Sequence, residues 1–131
     1  MDAPSFVPFM KYCDDRSLRR EVYMAYNTQC THNNDYNNVD IIKQLVNIRM
    51  ELAHLLGFST FAEYKLKKRM AETSDAVYKL LNQLLEAYTP AALKEVAEVE
   101  ALAREMEGND FQLMPWNWAY YSEKLKNRNS I

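Results

Sequence analysis

Apolar residues recur along most of this chain at spacings of three and four, the period that lines one face of an α-helix rather than one side of a strand. The cleanest run is Val77, Leu80, Leu81, Leu84, Leu85 and Tyr88, an unbroken stripe. A broader run comprises Ile42, Leu45, Val46, Leu52, Ala53 and Leu56, with Ile41, Ile48 and Leu55 beside it. So wide an apolar surface predicts a helix packed on two sides. Leu18, Val22, Ala25 and Tyr26 mark one face of an earlier helix, and Ala92, Val96, Val99, Ala103 and Met106 mark a later one.

Polar residues and breakers set the boundaries. Pro4 to Met10 is apolar and interrupted by Pro4 and Pro8, which predicts an extended arm. Asp14 and Asp15 start the first helix, which runs to about Cys30. Thr31 to Asn38 is rich in Asn and reads as a loop, because these side chains satisfy local backbone groups in competition with helix. Asn37 or Asn38 caps the second helix, which runs to Leu56 and stops at Gly57. Ser59 or Thr60 opens a third helix, Thr60 and Glu63 having the spacing of a capping box. A break near Thr73 and Ser74 precedes the fourth. Thr89 and Pro90 read as a cap and a first-turn proline, so a fifth helix begins there and ends near Gly108, antiparallel to the fourth. A last helix spans Trp116 to about Asn127. The expected fold class is all-α, an array of about six helices with short connections.

Composition supports this and narrows the function. With two glycines and four prolines in 131 residues, long helices are favoured over many short strands. The length suits a single helical domain, residues 1–131, and no linker or repeat divides it. Sixteen basic residues against eighteen acidic ones give no electrostatic case for nucleic acid. No run of 18 apolar residues occurs, so no membrane span is expected, and Met1 to Pro8 lacks the pattern of a secretory signal. Cys13 and Cys30 read as buried, reduced thiols of a cytoplasmic protein.

Candidate chemistry is sparse. His32 and His54 lie 22 positions apart with no His or Cys within a helical turn of either, so neither has the spacing of a zinc site. Glycine only at 57 and 108 cannot build a phosphate loop. Asp14 with Asp15 and Glu98 with Glu100 read as solvated charges. Arg49 stands in register with Ile42, Leu45, Leu52 and Leu56, where an inward guanidinium needs a carboxylate or a set of carbonyls as partner; a structural ion pair is the first reading and binding a substrate carboxylate the alternative. Trp116, Trp118, Tyr120 and Tyr121 either anchor a helix against its neighbours or line a peptide groove.

The run Phe6-Val7-Pro8-Phe9-Met10-Lys11-Tyr12, Arg19-Arg20 with Tyr23, Leu55 to Tyr64, Lys68-Arg69-Met70-Ala71 and Met114 to Tyr121 carry a family likeness. In that order they resemble the central helical region of zinc-dependent oligopeptidases of the thimet oligopeptidase and peptidyl-dipeptidase type. The resemblance implies a larger, two-lobed helical metallopeptidase with a channel for short peptides. Its zinc would be held by a His-Glu-x-x-His helix and a later glutamate, with a polarised water as nucleophile. None of those positions is present here, so no catalytic and no metal residue is assigned and no cofactor is expected in this chain. Asn117 departs from the pattern, relatives commonly having aspartate there.

The expected role is thus a non-catalytic helical segment of such a peptidase, inactive alone. Its partners would be the missing catalytic region and, in the full enzyme, short peptides. Arg49, Trp116, Asn117, Tyr120 and Tyr121 are the candidate channel-wall or peptide-contact residues. Self-association through an exposed apolar face is also expected. The alternatives are a stand-alone helical interaction module and, more remotely, a small enzyme using His54 or the cysteines.

Overall fold

A computed structural model describes residues 2–130 and is all-α: among these residues there are six α-helices, one 3-10 turn and no strand. The helices are α1 (Ala3–Tyr12), α2 (Arg16–Asn27), α3 (Val39–Leu55), α4 (Phe61–Leu66), α5 (Ser74–Glu107) and α6 (Trp118–Asn129), the last entered through the 3-10 turn Pro115–Asn117. The chain forms two compact units. One combines the residues up to Gln29 with those from Ala91 onward, and the other is Cys30–Pro90.

The number of helices agrees with the sequence pattern, but two boundaries do not. The expected extended arm is helical: α1 begins at Ala3, with the Asp2 carboxylate accepting from Ser5 N at 3.2 Å. Pro4 sits in the first turn, where no backbone N–H is needed, so only Pro8 costs an intrahelical bond. Packing offsets that cost. Met10 is buried, Phe6 stacks on Tyr26 of α2 with centroids 3.9 Å apart, and Lys11 pairs with Glu123 of α6 at 2.9 Å.

The second correction concerns the expected hairpin at Thr89-Pro90. The predicted fourth and fifth helices are one continuous 34-residue helix, α5, with Pro90 inside it. Thr89 does not cap a new helix; its hydroxyl donates back to the Leu85 carbonyl at 2.6 Å. A proline in a helix interior costs roughly 3 kcal/mol, and the helix continues through it nonetheless.

Local chemistry elsewhere follows the sequence closely. Asp15 caps α2 by accepting from Ser17 N at 2.8 Å and Leu18 N at 3.1 Å. The helix ends at Asn27 with Thr28 as its C-cap, short of Cys30, which lies in the following turn at φ 59°. α3 closes in a Schellman arrangement: Gly57 N donates to His54 O at 3.0 Å and Phe58 N to Ala53 O at 2.9 Å, with Gly57 at φ 79°. Thr60 accepts from Glu63 N at 3.1 Å, while the Glu63 carboxylate accepts from Ser59 N at 3.1 Å. α4 stops at Leu66, and Thr73 then caps α5 by accepting from Ala76 N at 3.2 Å.

The two units differ in how much they bury. In the first, Val99 and Ala103 of α5 and Phe111, Tyr120 and Tyr121 form a core, with Leu113 and Leu125 packed against it. In Cys30–Pro90 only Ala53 is buried. The rows that predicted α3 and the first half of α5 are largely open, Leu55 being 84 % and Leu85 67 % exposed. The anticipated two-sided packing of α3 is therefore not made among the described residues. The expected burial of the thiols also fails for Cys30, which is exposed; Cys13 is half-buried, and both are free.

Candidate functional site

The polar side chains that the fold brings together lie in the first unit, where α2 meets the segment from Phe111 to Tyr121. α2 carries Arg16, Arg19 and Arg20 at spacings of three and four, hence on one side of the helix. Each lies over an aromatic ring. The Arg16 guanidinium is 4.5 Å from the Phe111 centroid, Arg19 is 4.2 Å from Tyr120 and 5.8 Å from Tyr121, and Arg20 is 5.5 Å from Trp116. Tyr23 adds an edge contact to Trp116 at 6.3 Å.

Arg19 is the centre of this arrangement, at 1 % exposure. It has no carboxylate partner among the described residues. Instead its Nη1 donates to the Cys13 carbonyl at 2.7 Å and the Asp14 carbonyl at 3.0 Å, tying α2 to the turn that precedes it. The ring faces supply the remaining attraction, which is stronger for a cation withdrawn from water. Its Nε has no hydrogen-bond partner in the described structure.

The two tyrosines point their hydroxyls outward to carboxylates. Tyr120 donates to Asp14 at 2.7 Å and Tyr121 donates to Glu107 at 2.9 Å. Burial, reinforced by these acceptors, pushes both phenols up to about 12 from the usual 10.0. They are neutral donors at physiological pH, so this is a clamp joining α6 to the α1–α2 turn and to the end of α5. Asp14 is solvent-exposed, as the sequence indicated, and its carboxylate also accepts from Tyr120, with Lys124 4.0 Å away.

Asn117 is fully buried. Its side-chain oxygen accepts from Met114 N at 3.1 Å, closing the turn that launches α6, while its Nδ2 has no described partner. Trp116 is half-buried and lines a shallow depression of about 530 Å³ with Asp15, Arg16, Ser17 and Arg20. Four of the five sequence candidates, Trp116, Asn117, Tyr120 and Tyr121, therefore stand together. Arg49 belongs to the other unit. It is exposed, with its guanidinium 5.3 Å from the Phe61 ring of α4 and no ion pair among the described residues, so the expected carboxylate partner is not found.

No three His, Cys, Asp or Glu among the described residues converge as a metal site. His54 Nε2 lies 3.2 Å from the Ser59 carbonyl, and the residues present do not fit a catalytic zinc. What the cluster can do chemically is hold helices in place and present Trp116 and two cations at a surface.

Residues 9–130 match Peptidase family M3. The chain belongs to that family. As an M3 chain it is 38 % identical to Oligopeptidase A of Escherichia coli over 130 residues, which are 96 % of this chain and 19 % of that protein. It is 33 % identical to an organellar oligopeptidase A of Arabidopsis thaliana over 127 residues, 96 % of this chain and 16 % of the relative. It is 31 % identical to the dipeptidyl carboxypeptidase of Escherichia coli over 119 residues, 91 % of this chain and 17 % of that enzyme. The M3 chain thus spans 16–19 % of the length of these relatives.

Sequence reasoning overlooked Arg19 as the centre of the cluster and Asp14 and Glu107 as tyrosine partners. The signal for Arg19 was its register with Val22, Tyr23 and Tyr26, the half-buried positions of α2. Leu18 and Ala25, the aliphatic positions first assigned to that face, are exposed.

Proposed function

We propose that this chain is a non-catalytic helical segment of a larger, two-lobed zinc peptidase that hydrolyses short peptides, and that it contributes framework and channel wall. The observation that carries the reading is likeness along 96 % of the chain to 19 % of an oligopeptidase, in a segment whose described residues do not fit a catalytic zinc. On this reading residues 1–131 act as one helical portion, and zinc and its ligands belong to another region of the parent. The exposed rows of α3 and the first half of α5 support packing against that region, because contiguous apolar faces of this extent rarely stay in water.

Within this reading the site residues divide by accessibility. Trp116 and Arg49 are the members open to a peptide, Arg49 as a partner for a carboxylate. Asn117, Tyr120 and Tyr121 set the position of Trp116 from behind. The free thiols suit a reducing compartment, and the reading assigns the chain to the cytoplasm.

The test is complementation. An oligopeptidase A lacking the corresponding segment is co-expressed with this chain, and cleavage of a short fluorogenic peptide is followed. Restored zinc-dependent cleavage is expected, together with inactivity of the chain alone. Metal-dependent hydrolysis by the rigorously purified chain would overturn the reading. Sedimentation over a range of concentrations tests the accompanying proposal that the uncovered apolar rows drive self-association.

A further inference from the structure

A second polar concavity lies in the Cys30–Pro90 unit, apart from the cluster around Arg19. It encloses about 180 Å³ and is lined by Tyr64, Lys65, Lys68 and Arg69, three cations and a phenol without a carboxylate. The local sequence explains the convergence. α4 ends at Leu66, but Lys67 keeps helical angles and Arg69 N donates to Leu66 O at 2.8 Å. This turn brings Lys68 and Arg69 back beside Tyr64 and Lys65 at the end of α4, and the four side chains line one concavity.

The neighbouring carboxylates do not neutralise this group. Glu63 accepts from Ser59 N at 3.1 Å, and Glu72, itself left-handed at φ 58°, makes no ion pair among the described residues. No ion pair among the described residues reaches Lys65, Lys68 or Arg69. Lys65 is held by rings instead, its ammonium 5.2 Å from the Phe61 centroid and 5.0 Å from that of Tyr64. Three like charges around one concavity repel one another, and a multiply charged anion seated among them relieves that repulsion.

We propose that this concavity binds a phosphate-type oxyanion. Arg69 offers a planar fork suited to two oxygens, the two ammonium groups act as point charges, and a dianion matches three cations better than a single carboxylate does. The inference does not rest on the peptidase reading.

Equilibrium dialysis of the full chain against radiolabelled inorganic phosphate, at constant ionic strength set with chloride, tests it. Saturable uptake at one site is expected. The double variant Lys68→Ala/Arg69→Ala should bind at least about tenfold more weakly, the loss expected for charge-assisted hydrogen bonds. Both residues are exposed, so the helical circular dichroism should not change. Lys94→Ala, on α5 in the other unit, should bind as the parent does. A phosphoserine peptide and its unmodified counterpart form the second arm: tighter binding of the phosphopeptide identifies a polypeptide source, and equal or weaker binding identifies a free anion. Non-saturable uptake in both arms, or a double variant that binds as well as the parent, overturns the proposal.

Discussion

The guanidinium of Arg19 lies 4.2 Å from the centre of the Tyr120 ring, and the hydroxyl of that ring donates to Asp14 at 2.7 Å. Because Arg19 also donates to the Asp14 carbonyl at 3.0 Å, both ends of one residue are held by this pair. Cation, ring and carboxylate close a loop between α2, α6 and the turn before α2.

Replacement of Arg19 should therefore cost more than a surface arginine. Arg19→Ala removes two charge-assisted bonds and a ring contact and leaves a cavity, an expected loss of roughly 3 kcal/mol. Arg19→Lys should recover only part of it, since an ammonium cannot both span the two carbonyls and lie flat on the ring. Denaturant unfolding followed by near-ultraviolet circular dichroism would measure both, and a change below about 0.5 kcal/mol for Arg19→Ala would remove Arg19 from the centre of the clamp.

The hydroxyl of Tyr120 can be examined by a double-mutant cycle. Tyr120→Phe and Asp14→Ala should each destabilise by about 1 kcal/mol, and the combined variant by less than their sum. Full additivity would show that the 2.7 Å bond is not formed in solution.

Stability should fall on the alkaline side through the two buried phenols. Their folded values, about 12 against 10.0, are raised, so their contribution is complete below pH 10 and is lost as pH rises towards 12. Spectrophotometric titration should show two of the nine tyrosines ionising late, together with unfolding. In Tyr120→Phe/Tyr121→Phe that late step should vanish; its persistence would mean other tyrosines are responsible. On the acid side, the hydrogen bond from Lys11 holds Glu123 below the usual 4.5, so this contribution is present above that value and fades as pH drops.

Pro90 separates the two descriptions of α5. If one helix passes through it, Pro90→Ala should raise helical circular dichroism and slow amide exchange around position 90, stabilising the helix locally by up to roughly 3 kcal/mol. A proline that opened a new helix would give the opposite result, because its substitution would remove a favourable first-turn residue.

Apart from α1, which the sequence reads as an extended arm, the sequence by itself determined which stretches are helical and most of their ends. Asp15, Gly57, Thr60 and Thr73 act through bonds spanning two to four residues, so nearby side chains suffice to identify them. It also carried the family likeness, which depends on residue order alone. Tertiary structure decided what such short-range rules cannot see. Pro4 and Pro8 are tolerated in α1 where Phe6 can stack on Tyr26, and Pro90 is passed by a helix whose later turns are anchored by Val99, Leu102 and Ala103. The clamp pairs Asp14 with Tyr120, 106 positions apart, and that pairing comes into view only when distant segments meet. Burial of Arg19 has the same origin: its charge can leave water only because carbonyls and rings from separate segments replace the solvent around it.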